Sequence, residues 1–106
     1  MSQDVLTPPE HVKTELEEIE KKVDFYQKST PGWCVETEVA WRIQFLTSRI
    51  KHWAKKLGAV DTMMSKCKEK TPRHKKYERV SADLEAVVDL LSEELSKFVA
   101  QNFKPK

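Results

Sequence analysis

At 106 residues the chain is one domain at most, and with 34% charged residues and only two Gly it favours helix over strand and turn. Its 39% hydrophobic share is low for a compact globule and ordinary for elongated helices. Nowhere does it hold the roughly 18 consecutive apolar residues of a membrane span, and the first residues, with Asp4 and Glu10 and no apolar core, are neither a secretory signal nor an Arg-rich transit peptide.

Three Thr-Pro pairs, Thr7-Pro8, Thr30-Pro31 and Thr71-Pro72, each precede a helical pattern. A Thr hydroxyl accepts a free N–H of a first helical turn, and Pro loses nothing at the first helical position. The rival reading, sites for proline-directed kinases, does not explain why all three stand at helix starts. Helix 1 is predicted from about Pro8 to Lys28, with Thr7 and Glu10 as a capping box and the stripe Val12, Leu16, Ile19, Val23, Tyr26. Helix 2 is predicted to begin between Pro31 and Val35 and to run to about Lys70. Nine apolar residues line it with gaps of four and three: Val39, Ile43, Leu46, Ile50, Trp53, Leu57, Val60, Met64, Cys67. Helix 3 is predicted from Pro72 to about Phe103. Its stripe is Tyr77, Val80, Leu84, Val87, Leu91, Leu95, Phe98, with Val88, Val99 and Phe103 beside it.

Gly58 interrupts helix 2. It could end that helix and leave Ala59 to Lys70 as a separate short one. The stripe passes it without a change of phase, and burying the seam outweighs the ~1 kcal/mol cost of one Gly, so a single helix is favoured. Very short links near Ser29 and Thr71 make neighbouring helices antiparallel. The expected fold is all-α, an antiparallel up-down-up three-helix bundle with a long, coiled-coil-like hairpin of helices 2 and 3. It would span residues 8–103, between a flexible arm (1–7) and a short tail (104–106).

The predicted helices differ in length. Helix 1 spans roughly 31 Å and helix 2 up to roughly 57 Å at about 1.5 Å per residue. Helix 1 therefore gives out near Trp53 to Leu57, unless Val5 and Leu6 fold over what lies beyond or Gly58 bends the chain back. Val60, Met64, Cys67, Tyr77 and Val80 would then form a two-helix seam open to a partner. The same tip is basic. Lys66, Lys68, Lys70, Arg73, Lys75, Lys76 and Arg79 against Glu69 and Glu78 give +5 in fourteen residues of a chain whose net charge is +2. Cations in the first turns of helix 3 oppose its dipole. A solvated, solubilising turn is the plain alternative to a binding site.

No catalytic pattern emerges. His11, His52 and His74 fall on different elements and at no metal-ligand spacing, no nucleophile triad is supported, and two Gly cannot make a phosphate-cradling loop. Carboxylates read as helix-surface charges, such as Glu17–Lys21 and Glu18–Lys22. No enzyme activity, cofactor or metal is expected. Cys34 and Cys67 would lie too far apart along helix 2 to pair, which suits a reducing, cytoplasmic or nuclear setting. Trp41 and Phe45 form a second stripe that can meet helix 1. Left uncovered, Trp41 and Trp33 would be partner anchors. Leu46 to Leu57 is similar, through its Leu-Thr-x-Arg-Ile pattern, to a dozen residues of a small-subunit ribosomal protein family. That family's basic His-Lys-Lys-Asp-His-His-Ser run has no counterpart in Met63 to Arg73, and nothing is carried over from it.

The sequence thus points to a non-catalytic interaction module. It would be an adaptor or subunit of a larger cytoskeletal, centrosomal or trafficking assembly, docking a helical protein or a second copy of itself. The alternative is that the basic tip binds nucleic acid or an acidic surface.

Overall fold

The computed structural model describes residues 7–103: three helices, α1 (Pro8–Ser29), α2 (Val35–Ser65) and α3 (Pro72–Asn102), with no strand among them. The predicted arm and tail, Val5 and Leu6 included, lie outside the described residues except for Thr7. That residue is extended and caps α1. Its N–H donates to Glu10 Oε1 at 3.0 Å, and its hydroxyl accepts the Glu10 N–H at 3.4 Å. Thr71 caps α3 in the same way, accepting the His74 N–H at 3.1 Å.

Thr30-Pro31 does something else. It does not start α2, which begins at Val35 with Cys34 as its cap residue. Pro31 is followed by Gly32 at φ 72°, a left-handed backbone that glycine adopts at no steric cost, and the two residues form a turn instead of opening a helix. The start at Val35 lies within the expected bounds, whereas the other end of α2 departs from expectation. The helix stops at Ser65, not Lys70, and Cys67 lies in the turn that follows. An antiparallel reversal needs several non-helical residues, and Thr71, standing before Pro72, is steered away from helical backbone and is extended. The link is therefore Lys66 to Thr71, with Lys70 at φ 69°. Between these limits α2 runs unbroken through Gly58.

The helices run up, down and up, and α2 and α3 pack most closely. The core is Val12, Ile19 and Val23 from α1, Leu46 and Trp53 from α2, and Val87 and Leu91 from α3. Leu91 and Val87, the most deeply buried, sit where the three helices meet. The shape is elongated, 56 × 39 × 19 Å, with a radius of gyration of 17.4 Å, against about 13 Å for a compact chain of this size. Among the described residues no helix is long and apolar enough to cross a membrane.

Candidate interaction site

α1 fills a groove between α2 and α3, and a ladder of contacts fixes its register. The His11 ring lies 5.0 Å from that of Trp53. Glu15 accepts from Arg49 Nε at 2.6 Å and Nη2 at 2.8 Å, and from Trp53 Nε1 at 2.8 Å. Glu20 accepts from both terminal nitrogens of Arg42, whose Nε also donates to Glu38 at 3.0 Å. Lys22 lies over the Phe45 ring, and Tyr26 stacks on Trp41 at 4.7 Å. Arg42 and Arg49 are one heptad apart, so α1 offers a carboxylate to each successive Arg along one line of α2.

Glu15 is the charge that reading the sequence missed. It is 9% exposed, between Val12 and Ile19 on the buried face of α1. Burial pushes its pKa up. The hydrogen bonds from Arg49 and Trp53 and the charge of Arg49 outweigh that and hold it below its ordinary value. The Arg42 hydrogen bonds and charge lower the Glu20 pKa in the same sense, against a smaller desolvation effect. A clue was available in the spacing, because Glu15 stands three residues after Val12 and four before Ile19, a core position for a helix. The expected surface pairs Glu17–Lys21 and Glu18–Lys22 do not form; Lys21 pairs with Glu18 at 3.2 Å instead.

This ladder accounts for the second aromatic stripe. Trp41 is half-buried against Tyr26 and Phe45 and is engaged with α1. Trp33 packs half-buried on the core, with its Nε1 buried and without a hydrogen-bond partner. Neither stands out from the surface as a free anchor.

Past His11 the ladder ends. α1 starts three residues earlier, so its cover reaches to about residue 56 of α2, and α2 goes on to Ser65, roughly 14 Å further. Among the described residues, α2 and α3 meet alone here. Ser81 donates to Asp61 at 2.7 Å across the pair. Val60, Met64, Cys67 and Tyr77 are half-buried, while Met63 is 47% and Val80 37% exposed. Met63, just outside the predicted stripe, thus joins the five expected residues. Lys66, Lys68, Lys70, Arg73, Lys75, Lys76 and Arg79 are all exposed at this end. Among the described residues none of the seven takes part in an ion pair, and the contact of Glu78 is with His74 at 3.7 Å.

A second apolar surface lies at the opposite end, where Val35 (74% exposed) and Phe103 (59%) border an open groove of about 500 Å³ floored by Val39, Ala40 and Ile43. The sequence placed Val39, Ile43 and Phe103 on helix stripes, but not their exposure, which follows from α3 ending here. Among the described residues no group of His, Cys, Asp or Glu could hold a metal ion. Comparison with protein-family models, curated proteins and solved structures finds no match to this chain.

Proposed function

We propose that this protein is a non-catalytic interaction module, a small helical adaptor or subunit that docks another protein through the free end of the α2–α3 hairpin. One observation carries the reading: α2 and α3 outrun α1 by roughly 14 Å and keep Met63 and Val80 open on that stretch. A two-helix tip cannot bury its own seam, and a third helix supplied by a partner would complete the arrangement that α1 completes lower down. Assemblies of cytoskeletal, centrosomal or trafficking type, in the cytoplasm or nucleus, are the setting in which such modules work.

The test compares wild type with the Met64→Asp/Val80→Asp variant as bait in a quantitative pull-down, with helicity checked by circular dichroism. Partners retained by wild type and lost by the folded variant support the reading. Equal capture by both sinks it. A second reading rests on the seven exposed cations, none of them in an ion pair among the described residues: binding of nucleic acid or an acidic surface at the tip. Its signature is an affinity for duplex RNA or DNA that falls steeply and linearly with the logarithm of salt concentration.

A further inference from the structure

The open end of the hairpin continues the groove that α1 already occupies. Met63 lies two heptads beyond Arg49 and three beyond Arg42, the two residues that hold the α1 carboxylates. Val80 lies one heptad before the buried Val87, and two before Glu94, which borders the same crevice as Leu16 and Ile19 of α1. Even for straight helices the drift is only about 20° per heptad. Met63 and Val80 therefore face the line of α1, not the far side of the hairpin.

Among the described residues α1 begins short of this stretch. Thr7 is extended, its side chain is used as the cap, and Pro8 and Pro9 begin the helix with no amide donors to offer. The rim of the open stretch is cationic. Arg73 and Lys76 stand two heptads before Val87 and Leu90, on the same track, and both are exposed and free of ion pairs among the described residues. Lys66 closes the other side at the end of α2.

We infer that this stretch receives an acidic amphipathic helix from a partner protein, in line with α1, with its apolar stripe on Val60, Met63 and Val80 and its carboxylates on Lys66, Arg73 and Lys76. The inference rests on the proposed docking function and specifies the partner's chemistry. Its template is in the molecule: α1 is a helix with an apolar stripe whose Glu15 and Glu20 meet arginines in the same groove. Charge sets which helix fits, and the apolar floor sets where it lies.

The experiment uses the full chain and two fluorescent, end-capped helical peptides of about three heptads with Leu at the a and d positions. One carries Glu at the flanking positions and the other Lys. Anisotropy titrations should show the Glu peptide binding at least about tenfold more tightly, a difference of ~1.4 kcal/mol. Met63→Glu/Val80→Glu should remove that binding. Arg73→Glu/Lys76→Glu, at exposed positions where the fold is not at stake, should invert the preference toward the Lys peptide. Equal binding of both peptides, or binding of neither, overturns the inference. So does duplex RNA displacing the Glu peptide, or sedimentation showing a dimer that the peptide does not dissociate, since a second copy would then hold the site. Charge-blind peptide binding that is still lost in Met63→Glu/Val80→Glu would discard the acidic helix and leave the docking surface standing.

Discussion

Glu15 is the residue on which the seating of α1 turns, and its removal should be costly. Glu15→Ala takes away the acceptor of three hydrogen bonds, two from Arg49 and one from Trp53. Truncating one member of a buried pair costs about 3–5 kcal/mol when the other is left without water. Arg49 keeps 31% of its side chain exposed and can turn to solvent, which softens the loss. Trp53 cannot, so its indole N–H remains buried without a partner, at about 1–3 kcal/mol. A destabilisation of roughly 2–4 kcal/mol is expected, a large share of the ~5–15 kcal/mol available to a domain. Glu20→Ala is the control, because Glu20 is exposed and its Arg42 retains Glu38; that loss should stay below about 1 kcal/mol. Urea unfolding followed by far-ultraviolet circular dichroism and by tryptophan fluorescence measures both. If the two substitutions cost the same, the buried network does not anchor α1 in its groove.

Further outcomes follow from single residues. The Glu15 pKa is held below its ordinary value of 4.5, so its stabilisation is present above that pH and is lost as pH falls through the depressed value; the stability gap between wild type and Glu15→Gln should close on acidification through that window, as read by urea midpoints. Gly58→Ala should stabilise by about 1 kcal/mol, since a Cβ there meets nothing within 4 Å, whereas Gly32→Ala should destabilise despite equally open space because of its positive φ; thermal melts of the two variants should shift in opposite directions. Lys70→Gly should relieve a left-handed non-glycine residue and raise the melting temperature, and Thr71→Ala, at the next residue, should lower it through loss of the α3 cap, worth about 1 kcal/mol.

The helices were legible because their signals are local and repeated. A stripe that keeps phase through Leu57 and Val60 says that Gly58 does not end α2, and it does not. Trp41 and Phe45 four residues apart say that a second face of α2 needs cover, and Tyr26 provides it. The ends were less legible. Thr-Pro opens a helix at Thr7 and Thr71 but a turn at Thr30, and the residue that decides is Gly32, one place beyond the pair. Apolar spacing carries on to Cys67 and so overstates the far end of α2, because the space needed to turn the chain is a property of two helices together. Glu15 illustrates the deeper limit. A carboxylate among apolar residues reads as surface until the groove places Arg49 and Trp53 opposite it, 34 and 38 residues along the chain. The exposure of Met63 has the same origin, since it depends on where another helix starts.

The energetics of the open stretch constrain how it can bind. Fully burying a Met or Val side chain is worth about 1.5–3 kcal/mol, and Met63 and Val80 are already half covered, so together they supply only a few kcal/mol. Val60, Met64 and Tyr77 have less left to bury. Association costs about 4–15 kcal/mol in lost freedom before any net affinity appears, so the partner's own apolar side chains must add to this burial. Charge adds a smaller share, through cations that take part in no ion pair among the described residues. Each such pair at an exposed rim gives at most about 1 kcal/mol and is screened by salt. Under the proposed docking function, such a tip would hold a partner by several small contributions of two kinds, apolar and electrostatic. Its affinity should therefore fall both when Met63 or Val80 is made polar and when ionic strength is raised. A site whose binding survived either change would owe its hold to some other part of the molecule.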